Sequence, residues 1–98
     1  MMTMHPGEYL LLSYVEPHKI SPQELADRLG LPLKAVQGLL AEEIELTAEM
    51  AVRLELVFDR SAMSWMDMQV AHSLMQARKK VDTATVRPFV FPVKADAA

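Results

Sequence analysis

Over most of the chain, apolar residues recur every three or four positions, the period of a helix with one covered face. Tyr9, Leu10, Leu11, Leu12 and Val15 make a first segment. Pro6 suits its opening turn, and Pro17 stops it near Glu16. Ile20, Leu25, Ala26 and Leu29 line a second, for which Ser21 is the cap, Pro22 the first helical residue and Glu24 the partner in a capping box. Gly30 can take the left-handed conformation that ends it. Pro32 restarts the pattern, with Val36, Leu39 and Leu40 facing inward and Lys34, Gln37 and Gly38 facing away. Thr47 caps a fourth helix whose buried face is Met50, Ala51, Leu54, Val57 and Phe58. Ser61 or Ser64 opens a fifth, running to about Lys80 and carrying Met63, Trp65, Met66, Met68, Val70, Leu74 and Met75.

Five helices in a row predict an all-α fold. After Lys80 the pattern changes to "DTATVRPFVFPVKADAA", with β-branched and aromatic residues and two prolines. Val86 to Phe91 could form a short edge strand, because Pro88 cannot serve a central one. Residues 1–80 are therefore read as the domain and 81–98 as a C-terminal extension. There is no internal repeat.

Composition narrows the function classes. Ninety-eight residues, 51% of them apolar, supply one core. Three glycines and eight methionines favour helices. The formal charge of −3 lacks the strongly basic footprint of an unselective nucleic-acid binder. No cysteine is present, which excludes disulfides and thiolate metal sites and suits the cytoplasm. The opening residues have no Lys or Arg before Lys19 and an interrupted apolar run, so neither a signal peptide nor a membrane span is expected. His5, His18 and His72 are widely separated and lack the paired spacing of metal ligands. No nucleophile elbow or phosphate loop accompanies the Ser, His and Asp residues. No catalytic residue, metal or cofactor is assigned, and Glu42, Glu43 and Glu45 read as a solvated loop.

The segment "ELADRLGLPLKAVQGLL" has the plan of a helix-turn-helix: a tight glycine corner, inward apolar positions and an outward polar face. Alone, two amphipathic helices joined by glycine are more often ordinary helical packing. The wider chain adds "HPGEYL", "ISPQELADRLGL", "LTAEMAVRLELVF" and "SWMDMQVAHSL". From His5 to about Leu74 these resemble the landmarks of HigA-type antitoxins, which belong to the phage-repressor-like (XRE) helix-turn-helix family. The resemblance implies a five-helix phage-repressor-like domain in a dimeric regulator encoded beside a toxin. The implied partner is a small, basic, RelE-like ribonuclease, neutralised by binding, and the implied DNA target is their shared operator.

The sequence departs from that family at the DNA face. Pro22 follows Ser21 where the family has Gln, and Pro32 and Leu33 replace a Ser-Arg-type start of the recognition helix. Gly38 stands at a common Arg position, and Ala41, Glu42 and Glu43 replace an Asn-Gly-Lys-type loop. From His18 to Glu45, Lys19, Arg28 and Lys34 face Glu24, Asp27, Glu42, Glu43 and Glu45, a net −2. Phosphate contacts supply much of DNA affinity, so this balance predicts a weakened grip. Gln23, Lys34, Gln37 and Arg28 are the candidate DNA contacts. From Arg78 to Lys94 the balance is +4, which either reaches phosphates or complements the negative end of the fifth helix.

The methionines around Trp65 fill the core or form an adaptable partner surface. Trp65, Met68, Val86, Phe89 and Phe91 are the candidate dimer or partner contacts, since a small domain leaves apolar surface uncovered. Two functions follow: an antitoxin and autorepressor with operator DNA, a toxin and a second copy as partners, or a protein-interaction or dimerisation module on a helix-turn-helix scaffold with weak or lost DNA binding.

Overall fold

The computed structural model of the chain describes residues 3–92. Helix α1 (Pro6–Leu10) continues as a π-helical turn over Leu11–Val15. Then come α2 (Pro22–Leu29), α3 (Leu33–Leu40), α4 (Ala48–Val57) and α5 (Ala62–Lys80), followed by a 3₁₀ turn at Thr83–Thr85. The widened turn is closed by the Glu16 N–H on the Leu11 carbonyl at 2.9 Å. It brings Leu10 and Val15, five residues apart, both into the core.

Each boundary has a local cause. Ser21 Oγ accepts from the Glu24 N–H at 3.1 Å, Thr47 Oγ1 from Met50 at 3.2 Å and Ser61 Oγ from Ser64 at 3.1 Å. Only half of the expected capping box forms, because the Glu24 carboxylate instead turns to Arg28 at 3.4 Å. Between Ser61 and Ser64, the first is the cap. Gly30 ends α2 at φ 67°, with the Leu31 N–H on the Ala26 carbonyl at 3.0 Å.

The core gathers Leu10, Leu25, Leu29, Val36, Leu39, Leu54 and Trp65. Helix α1 packs on α3 and α5, α2 on α3 and α4, and α4 on α5. Gly7 lets α1 and α3 pack closely: a Cβ there would clash with the Leu39 carbonyl oxygen. Trp65 meets Tyr9 edge-on at 5.5 Å, and the Arg60 guanidinium lies 4.4 Å over the Tyr9 ring.

The structure corrects several expectations. No strand forms among the described residues; Val86 to Phe91 run outside any sheet, with no neighbouring strand to pair with. Trp65, expected at an interface, is fully buried inside the monomer. Val57, expected on the buried face of its helix, is exposed, as are Met63, Val70 and Leu74 of α5. Within α5 only Trp65 and Gln69 are buried, because the helix runs on past the elements that cover its first turns. His5 and His72, distant in sequence, meet edge to face at 5.0 Å.

Candidate nucleic-acid interface

The α2–α3 pair is held at its corner by Arg53 of α4. Its guanidinium donates to the Leu29 carbonyl at 3.0 Å and to that of Gly30 at 3.3 Å, and pairs with Glu49 at 3.0 Å. The corner also needs Gly30, whose positive φ and nearness to Arg53 both oppose a side chain.

Beyond the corner, Pro32 occupies the N-cap of α3, and no side chain caps this helix. Its first N–H groups and the positive end of its dipole therefore remain open to an incoming acceptor. Lys34 and Gln37, three residues apart, share one face and are exposed. This is the placement expected of base- and phosphate-contacting residues on the second helix of the motif.

The α2 candidates differ. Gln23 is exposed, but its amide donates to Asp27 at 2.9 Å. Arg28 is exposed and shares its guanidinium with Glu24 at 3.4 Å. Both donors are engaged by carboxylates of their own helix, through contacts that are weak enough at the surface to exchange.

Gly38 is a correction. Expected on the outward face, it is buried, with the Ile44 side chain 3.3 Å from where a Cβ would stand. Leu33 is half-buried and packs on the core rather than outward. Closing the Ile44 loop over Gly38 creates an open, mostly apolar depression of about 480 Å³ lined by Pro32, Lys34, Ala35, Gln37, Glu43 and Ile44. Sequence reading missed Ile44, and only the missing side chain at Gly38 hinted at it.

The α3 C-terminus turns back through a Schellman arrangement. The Glu43 N–H meets the Gly38 carbonyl at 2.8 Å and the Glu42 N–H meets that of Leu39 at 3.1 Å. Glu42 adopts φ 60°, a left-handed conformation usually taken by glycine.

Behind this loop lies a groove of about 340 Å³ containing His5, Glu45, Gln69 and His72. Gln69 accepts from the Leu46 N–H at 2.7 Å and donates to Ser73 at 2.9 Å, and Ser73 donates to Glu45 at 3.1 Å. His5 Nδ1 accepts from the Gly7 N–H at 2.9 Å, so the proton is on Nε2, which faces the Ile44 carbonyl at 3.1 Å. Burial and the neighbouring His72 hold the His5 pKa below its usual value, outweighing the Ile44 carbonyl, Glu42 and Glu45. These contacts fix the loop that frames the apolar depression. No group of three or more metal-binding side chains occurs among the described residues.

The interface candidates Val86, Phe89 and Phe91 are exposed, and the two phenylalanine rings lie 5.9 Å apart. Met68 is half-buried against the core. Lys94 falls outside the described residues. Among the described residues, no helix is long and apolar enough to cross a membrane.

No family model matches the chain. The chain is 36% identical over 78 residues to the uncharacterized HTH-type transcriptional regulator YbaQ of Escherichia coli K12, covering 80% of this chain and 69% of that one. Its backbone is similar to the Pseudomonas aeruginosa antitoxin HigA, solved with the higBA promoter: TM-score 0.82 and 32% identity, over 91% of this chain and all of that one. An addiction module antidote protein of the HigA family from Coxiella burnetii superposes with TM-score 0.81 and 30% identity, again over 91% and 100%. With the glycine corner, the open α3 face and identity along nearly the whole chain in agreement, the protein belongs to the HigA-type family of helix-turn-helix antitoxins.

Proposed function

We propose that the protein is an antitoxin and the autorepressor of its own operon, binding operator DNA through α3. The observation that carries this reading is the exposure of Lys34 and Gln37 on an uncapped α3, with its corner braced by Arg53. The related HigA, solved with a promoter, supports it. The partner proposed is a small, basic, RelE-like ribonuclease encoded next door, neutralised by direct binding. A second copy of the chain would cover Val86, Phe89 and Phe91, giving the two-fold dimer that reads paired half-sites. Residues 81–98 would then act as an extension that completes the assembly. No catalytic role is proposed.

A second reading, an interaction or dimerisation module with weak or lost DNA binding, is favoured by Glu42 and Glu43 beside α3 and by the pairing of Arg28 with Glu24. Fluorescence anisotropy with the chain's own upstream DNA over a range of salt separates the two. A selective complex whose affinity falls with salt is the expected result; no complex even at low salt overturns operator binding. Co-expression with the product of the adjacent gene, followed by size-exclusion chromatography, tests the toxin. Two proteins that elute apart would reject that partner.

A further inference from the structure

We propose that α3 selects A·T pairs by seating thymine methyl groups in the apolar depression beside Gln37. This rests on the DNA-binding reading above and names what that surface recognises.

The chemistry of the wall is the starting point. Gly38 has no side chain, so Ile44 closes against α3 and stays about one third exposed, at 36%. Pro32 and Ala35 complete an apolar surface on the same side as Gln37 and Lys34. In the major groove an A·T pair presents N7 and the N6 amino group on adenine and a C5 methyl on thymine. The Gln37 amide, with one donor and one acceptor end, matches the adenine edge. The neighbouring apolar wall matches the methyl.

A G·C pair fits the same wall poorly. Guanine offers two acceptors, best met by an arginine fork; the described α3 face has no arginine, and Lys34 presents a point charge without that fork. Cytosine lacks the methyl and would bring an amino donor against Ala35 and Ile44 side chains that cannot accept a hydrogen bond, with only the Glu43 carboxylate at the rim to meet it. Charge points the same way. With Glu43 on the rim, this surface gains little from phosphate and must discriminate through short-range apolar and amide contacts. Lys34, one turn before Gln37, remains free for the backbone or a purine N7.

The test uses the full chain and duplexes selected by it from a random pool. Each thymine of the selected site is replaced in turn by deoxyuridine, which removes the methyl and leaves base pairing intact. The expected result is a half-site rich in A·T, with affinity falling about fourfold for each methyl that is seated, the worth of one buried methyl-sized group. Ile44→Ala should narrow the difference in affinity between thymine and uracil duplexes, because the largest apolar side chain of the wall is gone. The DNA-side substitution needs no protein variant, so a folding defect in Ile44→Ala cannot mask the outcome. Selective binding that is indifferent to every uracil overturns this inference and leaves the operator reading standing. Failure to select any duplex overturns both.

Discussion

Arg53 of α4 donates to the carbonyl of Leu29 at 3.0 Å, across twenty-four residues, and so ties the end of α2 to a helix outside the helix-turn-helix pair. The same guanidinium reaches the Gly30 carbonyl and is itself oriented by Glu49 one turn earlier. Unsatisfied carbonyls at a helix end are thereby capped by a side chain whose position depends on α4. The angle at which α3 is presented is thus set by a brace and not by the turn alone.

Removing that brace should loosen the corner. Arg53→Ala leaves the Leu29 and Gly30 carbonyls to water, and the site is partly exposed, so the cost should be about 1–2 kcal/mol. Urea denaturation followed by circular dichroism measures it. A midpoint equal to that of the parent chain would show that the guanidinium only decorates the corner.

The three glycines should differ in their tolerance of a methyl group. At Gly7 the added carbon would meet the Leu39 backbone, which cannot move without displacing α3; the expected loss is about 3 kcal/mol. At Gly30 the obstacles are a positive φ and a movable Arg53 nitrogen at 2.8 Å, for about 1–2 kcal/mol. Gly38 faces the Ile44 side chain at 3.3 Å, and Ile44 can shift, so Gly38→Ala should cost least. A denaturation series over the three alanine variants checks the order, and equal losses would contradict it.

Glu42 should be a site of easy stabilisation. Its left-handed backbone closes the end of α3, and a residue with a β-carbon is strained there. Glu42→Gly should raise stability by about 1 kcal/mol, whereas Glu42→Ala, which keeps the β-carbon, should not. Thermal melts of the pair decide the matter. Equal melting temperatures for both variants would mean that the loop carries no strain.

These residues show what the sequence could and could not reveal. Ser21, Thr47 and Gly30 announce helix ends through local chemistry, so all five helices and the corner are readable without coordinates. Exposure of Lys34 and Gln37 follows equally from helical spacing. Burial of Gly7 and Gly38 does not, because a missing side chain leaves no mark in a hydrophobic pattern and its use depends on what approaches it. The His5–His72 contact joins positions sixty-seven residues apart through the packing of α1 on α5, which no local pattern encodes. Met63, Val70 and Leu74 obey a helical period, yet they share the face of α5 opposite Trp65 and Gln69 and stay uncovered. Val86 to Phe91 have strand-forming residues but lack a partner strand, and a strand cannot form alone.

Stability should fall on mild acidification because of His5. Its Nδ1 must stay unprotonated to accept the Gly7 N–H, and burial with His72 nearby lowers its folded pKa below the ordinary 6.5. The unfolded chain therefore binds the proton more readily, so this contribution is complete above pH 6.5 and declines as pH falls below it. His5→Asn offers a neutral cap that does not titrate in this range. Urea midpoints between pH 5 and 8, values chosen about the histidine range, should fall towards acid in the parent chain and fall less in the variant. Parallel curves would exclude His5 as the source.

The α3 face should divide its work between two side chains one turn apart. Gln37→Ala should lower the preference for a selected duplex over a scrambled one by about 1–3 kcal/mol, while affinity for the scrambled duplex holds, since an amide reads bases. Lys34→Ala should weaken both duplexes together and reduce the salt slope by about 1, since an ammonium neutralises phosphate. Glu43 lines the same depression as Lys34, so Glu43→Gln should strengthen both duplexes by removing a carboxylate that repels the backbone. Anisotropy titrations of the three variants at several salt concentrations separate these effects. If neither Lys34→Ala nor Gln37→Ala moves a titration, α3 lies outside the interface, and the exposed cations at the end of α5, Arg78, Lys79 and Lys80, become the surface that meets DNA.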